Sequence, residues 1–199
     1  MTLYQKVNAV LRLFKLLDKE ISHFKSVTHM GCIAGCGKCC EKPDIFASPL
    51  EFLPWAYHTF KAGKADLWMA KFENESIPPV CYLYSNLTIK GSGYCTDYFN
   101  RGMICRLFGF AAMKNKEGKK LLVTCSFIKH EKEEIYRNAV TAIKSGLRVP
   151  VFSNYYDQLR NIDRDLTNTM LPVNKAMFEA LKTVCAYYAY RRPPRRKAA

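Results

Sequence analysis

The chain has 199 residues, of which 49% are apolar and 24% charged, a balance that suits one folded domain and excludes a wholly disordered or collagen-like chain. Charge and cysteine content stand apart, because 31 Lys and Arg against 17 Asp and Glu give a net charge of +14, and nine residues are Cys. Together they point to anionic or metal partners. No apolar run reaches the roughly 18 residues that a membrane-spanning helix needs. Lys6, Arg12, Lys15, Asp18, Lys19 and Glu20 interrupt the N-terminal segment where a secretory signal would need an apolar stretch. A cytoplasmic protein is therefore expected, and in a reducing compartment clustered thiols bind metal or do redox chemistry more often than they form disulfides.

Leu3, Val7, Val10, Phe14, Leu17, Ile21 and Phe24 alternate at spacings of four and three, which predicts one helix over residues 2 to 28. Leu11, Leu13 and Leu16 widen the stripe beyond a coiled-coil seam, so packing onto the domain is expected, with dimerisation through this helix as the alternative. Gly31, Gly35 and Gly37 punctuate a cysteine-dense loop. Ser48, Pro49 and Glu51 match a capping box with proline at the first helical position, predicting a helix from Ser48 to Ala62, stopped by Gly63 and kinked early at Pro54. A short helix is expected over 64–75, followed by an irregular stretch from Pro78 and Pro79 through Gly91 and Gly93.

Met103 to Ala112 and Leu121 to Ile128 are apolar runs around the polar turn Lys114 to Lys120, which reads as a β-hairpin with Cys105 on one strand and Cys125 on the other. Ile135, Ala139, Ala142 and Ile143 share a helical face. So do Tyr155, Leu159, Ile162 and Leu166, with Ser153 or Asn154 as the expected cap, and Met177, Leu181, Val184 and Tyr188 on a last helix. The fold class is mainly α with a small β-hairpin (α+β), a single domain over 1–190 with a cysteine-rich core at 30–126 and a helical C-terminal part at 130–190. Residues 191–199 form a basic tail without an apolar face and are expected to be disordered.

Cys185 lies on the last helix beside its apolar stripe and reads as a small core residue. The other eight cysteines form a pool: Cys32, Cys36, Cys39 and Cys40 in one tight loop, and Cys81, Cys95, Cys105 and Cys125 dispersed downstream. An all-thiolate set selects zinc or an iron-sulfur cluster over hard cations, and four ligands is the usual number for each. Adjacent Cys39 and Cys40 point opposite ways in extended backbone, so they serve either two centres or one multinuclear centre. Lys38, Lys42, Arg101 and Arg106 lie close in sequence to these ligands and would offset the negative charge of metal-thiolate centres. His29, three residues before Cys32, reads as a solvated helix-end residue. No catalytic residue emerges from spacing alone.

The segments "GCIAGCGKCCEK" (31–42) and "CTDYFNRGMICRLFGF" (95–110) resemble the CxxCxxCC family of zinc- or iron-chelating proteins, the YkgJ-like cysteine cluster proteins. The resemblance spans roughly residues 30–126 and includes Pro49, Leu50 and Glu51 after the loop. It also includes the C…Y..R…CR.F signature at Cys95, Tyr98, Arg101, Cys105, Arg106 and Phe108, and the late Cys125. Two departures are present: three residues separate Cys32 from Cys36 where the family has two, and Gly102 follows Arg101 where proline is usual. Cys32-x3-Cys36-x2-Cys39 is also the spacing that holds a [4Fe-4S] cluster in radical SAM enzymes, but the repeated strand-helix pattern of those barrels is missing here.

What the resemblance implies is a chelating domain, without a named reaction. The expected function is metal binding, with an iron-sulfur cluster or Zn²⁺ held by the eight pooled thiolates, in redox chemistry or as part of a modifying enzyme. The alternative is a non-catalytic zinc-stapled scaffold that docks a protein partner. The basic tail adds weak, salt-sensitive contact with nucleic acid as a lesser expectation.

Overall fold

The computed structural model describes residues 1–32, 36–74, 80–86 and 93–193. Thr2 starts the first helix, α1 (Leu3–Thr28), with a reciprocal capping box: its hydroxyl accepts from Gln5 N–H at 3.2 Å, and its own N–H donates to the Gln5 side chain at 2.8 Å. The apolar stripe is buried as its period requires, and Leu13 joins it. Leu11 and Leu16 do not, standing 37% and 57% exposed, so the inward face is narrower than the sequence suggested. His29 ends the helix in the left-handed region and is exposed, as expected for a helix-end residue.

Helix α2 (Pro49–Lys61) follows the short strand β1 (Phe46–Ala47). It is buried along most of its length by Leu50, Phe52, Leu53, Trp55 and Ala56, and it continues through Pro54. Helix α3 (Ala65–Asn74) adds Trp68, which meets Trp55 edge to face with ring centroids 5.2 Å apart. After it come β2 (Tyr84–Asn86) and β3 (Gly93–Cys95), an antiparallel pair with Tyr84 opposite Cys95. The expected irregular stretch is therefore partly paired strand; Pro78, Pro79 and Gly91 lie outside the described residues.

The apolar run Met103 to Ala112 is not one strand. Its first half is the short helix α4 (Met103–Leu107), and Gly109, at φ +95°, turns the chain before β4 (Ala111–Lys114) begins. Strand β4 pairs antiparallel with β5 (Lys120–Val123), which gives the expected hairpin around Gly118. Cys105 is thus helical, and Cys125 lies past the hairpin at the N-cap of α5 (Ser126–Glu131).

Helix α6 (Glu133–Lys144) carries Ala139 and Ile143 inward. The next predicted helix is two: α7 (Phe152–Ile162) and α8 (Arg164–Asn168), separated at Asp163, which adopts extended backbone. The Asp163 carboxylate accepts from Leu166 N–H at 3.1 Å to cap α8, and it pairs with Lys6 of α1 at 2.5 Å. Those two bonds outweigh continued helix. Val151 occupies the cap position of α7, leaving Ser153 and Asn154 in its first turn. Strand β6 (Leu171–Pro172) pairs with β1 and leads into α9 (Val173–Tyr188).

Helices α1, α2 and α9 enclose the main core, where Val10, Phe14, Leu17, Trp55, Met177, Leu181 and Val184 are almost fully buried. At about 1.5 to 3 kcal/mol for each large apolar side chain, this layer dominates the favourable side of folding. A second cluster holds Phe24, Met30, Leu122, Ile128 and Ile143 beneath the hairpin. The molecule is mainly α with small antiparallel two-stranded sheets, matching the expected class. Among the described residues no helix is long and apolar enough to cross a membrane.

Candidate metal centre

Gly37 sits at φ +58° in the cysteine loop, and a Cβ there would fall 2.5 Å from the Tyr84 ring and 2.8 Å from the Gly93 carbonyl. Only glycine fits, and its fit lets the loop lie against the β2–β3 pair. Cys40 N–H closes the turn on Gly37 O at 2.7 Å, and Cys81 N–H donates to Cys40 O at 3.3 Å. Tyr84 N–H then donates to Cys81 O at 2.9 Å, and Tyr84 OH donates to the Glu41 carboxylate. Backbone bonds thereby bring Cys39, Cys40, Cys81 and Cys95 to one place.

Helix α4 is fixed from below by Glu51. This carboxylate is fully buried, accepting from Ser48 N–H at 2.8 Å, Ser48 Oγ at 3.2 Å, Tyr156 OH at 3.0 Å and Ile104 N–H at 2.7 Å. Burial pushes its carboxyl above the usual range, and these hydrogen bonds pull back against that. Residues on three helices, α2, α4 and α7, meet at one side chain, and the bonded amide immediately precedes Cys105. Sequence reading identified Glu51 as half of a capping box; its second oxygen, given to Ile104, had no local signal.

All eight pooled cysteines line two cavities. The larger, about 490 Å³, is bordered by Cys32, Cys36, Cys39, Cys40, Cys95, Cys105 and Cys125. The smaller, about 30 Å³, is bordered by Cys39, Cys40, Cys81 and Cys105. Cys39, Cys40 and Cys105 border both, so the two spaces adjoin through shared thiols. All of these cysteines are free thiols. Cys185 is elsewhere, half-buried on α9 against the main core, as the sequence reading had it. His29 borders neither cavity.

The thiols act on one another strongly. The Cys40 S–H donates to the Cys39 sulfur, and this bond, with backbone N–H donors and the Arg101 guanidinium, brings Cys39 down to about 6. Holding that same proton, Cys40 is driven far up. Burial lifts Cys81 to about 11 and Cys105 still further, with the neighbouring thiols adding to both. Cys32, although exposed, is raised by partial desolvation and by Cys36, Cys39 and Cys125. Among the described residues no three Cys, His, Asp or Glu side chains are grouped to hold a metal ion.

The donor set nevertheless fits a soft metal, being sulfur throughout and already holding one acidified thiol. Arg101 stacks 3.7 Å above the Tyr98 ring, and its Nε is buried without a hydrogen-bond partner. Its charge faces Cys39 and Cys95. The Arg106 charge interacts with Cys105, and the side chain is anchored by further bonds. Its Nη1 pairs with Asp18, Nη2 donates to Phe99 O at 2.5 Å and Nε to Arg101 O at 3.3 Å, so it secures the loop carrying Arg101 to α1.

No family model, curated protein or solved structure matches this chain.

Proposed function

We propose that the protein is a metal-binding cysteine cluster protein of the YkgJ-like kind, whose thiols hold an iron-sulfur cluster or zinc. The observation that carries this reading is that eight of nine cysteines, separated by up to 93 positions from Cys32 to Cys125, border two adjoining cavities while the ninth does not. Burial of small apolar residues does not account for that selection, because Cys32 and Cys39 are exposed and Cys36 is half-exposed.

Within this reading the polynuclear centre is favoured. Cys39, Cys40 and Cys105 border both cavities, so the two sets of thiols are joined as the ligands of one polynuclear centre would be. Cys36, Cys39, Cys40, Cys95 and Cys105 are the leading ligands, with Cys32, Cys81 and Cys125 completing the pool. An iron-sulfur group would supply electron transfer, and zinc would supply a closed structural tie. The chain's own contribution is to present the thiols from five separate segments and to place Arg101 against their charge. Free thiols in this number fit a reducing cytoplasmic setting.

The zinc-stapled scaffold is favoured by one observation. Tyr98, which borders the larger cavity, stands 64% exposed, as side chains at a protein-docking surface do. Metal and acid-labile sulfide content of anaerobically purified protein tests both readings. Iron with sulfide and a visible band that bleaches on reduction is the expected result; stoichiometric zinc in a colourless protein selects the scaffold, and protein free of metal removes the proposal.

A further inference from the structure

The larger cysteine cavity has a second wall that the thiols do not explain. Phe108, Phe110 and Ile128 line it with apolar surface, Tyr94 and Tyr98 border it, and three cations, Lys25, Lys38 and Arg101, reach it from separate segments. Each cation is steadied by an aromatic ring: Lys25 Nζ lies 5.2 Å from the centre of Phe110, Lys38 Nζ 5.5 Å from Phe127, and the Arg101 guanidinium 3.7 Å from Tyr98. Contact with a ring face restrains a cation without using up its N–H donors. Among the described residues none of the three forms an ion pair with a carboxylate, although Lys6, Arg106, Lys119, Arg137, Arg160 and Lys182 all do.

Arg101 also keeps a buried Nε without a hydrogen-bond partner. Leaving a buried donor unmet is costly. An acceptor arriving in the cavity would remove that cost. The volume, about 490 Å³, falls within the roughly 300 to 1,000 Å³ of small-molecule pockets, and such pockets combine apolar walls with a few converging polar groups.

We infer that this cavity binds a small aromatic anion, its ring against Phe108, Phe110 and Ile128 and its charged group toward Lys25, Lys38 and Arg101. This concerns the same cavity as the metal reading but does not require the metal, since the apolar wall and the three cations are in place without one. The charge makes the site selective: a neutral ring loses the cations, and a bare anion loses the apolar wall.

The test uses the full chain as purified, with 8-anilinonaphthalene-1-sulfonate as fluorescent reporter and three competitors: 1-naphthoate, 1-naphthalenemethanol and inorganic phosphate. Naphthoate is expected to displace the reporter at least tenfold more effectively than the alcohol or phosphate. Lys25→Gln should weaken naphthoate at least threefold, and Lys25→Gln/Lys38→Gln at least tenfold. Equal competition by the alcohol or by phosphate overturns the inference, as does unchanged naphthoate binding in the double variant. Metal content measured on the same samples separates the two readings: metal-free protein that still binds naphthoate selectively contradicts the metal proposal alone, and metal-loaded protein that does not bind it contradicts this one alone.

Discussion

Cys39→Ser is expected to strip most of the bound metal and to lower the melting temperature by about 8 °C or more. Cys39 borders both cavities and accepts the Cys40 thiol proton, so a serine there removes a ligand from the place where the two spaces meet. Metal binding and folding are coupled when ligands come from separate segments, because the unfolded chain does not preform the site. A loss of about 3 kcal/mol corresponds to roughly 6 to 12 °C in a chain of this size. Cys185→Ser is the matched control: half-buried on α9 and bordering neither cavity, it should keep full metal and shift stability by no more than about 1 kcal/mol. Equal metal content in the two variants would remove Cys39 from the ligand set.

Glu51→Ala should cost about 3 to 5 kcal/mol, since each buried donor left without its acceptor costs about 1 to 3 kcal/mol. It leaves the Ser48 and Ile104 amides and the Tyr156 hydroxyl without their acceptor in a place closed to water. A second effect is expected at the thiols. Losing the Ile104 bond frees the first turn of α4, which carries Cys105, and supports of this kind commonly change metal affinity by about 10- to 100-fold. Glu51→Gln retains one oxygen acceptor, so it should recover part of the stability and part of the affinity. Chemical denaturation together with competition against a chelator reads both effects. A variant that unfolds more easily but holds metal unchanged would confine Glu51 to a structural role.

The long helices were legible because their signals are local. Ser48 with Glu51 marks the start of α2, and the alternation of spacings four and three on α1 marks its buried face. Where tertiary contacts decide, the sequence misled. Met103 to Ala112 is apolar except at Arg106 and fits strand or helix equally well. The Glu51 acceptor, 53 positions away from Ile104, and the turn at Gly109 determine that its first half is helical. Helices α7 and α8 separate at Asp163 because Lys6, 157 positions distant, holds its carboxylate. Strands β2 and β3 are three residues each, too short to show alternation.

The site was partly legible for the same reason. Pooling eight cysteines apart from Cys185 needed only composition and helix position. Their meeting around two cavities depends on Gly37 packing against Tyr84 and on backbone bonds from Cys40 to Cys81, which no local pattern encodes. The pairing of Arg106 with Asp18 was equally hidden, since the two are 88 positions apart.

Sulfur ligation of a metal by the pooled cysteines underlies each role proposed for this chain. X-ray absorption at the metal edge of anaerobically purified protein measures it most directly. The predicted first shell is sulfur alone at about 2.3 Å for zinc, or sulfur with a second iron as neighbouring scatterer for the cluster. A first shell of nitrogen or oxygen would contradict the account, as would protein with no metal edge to measure.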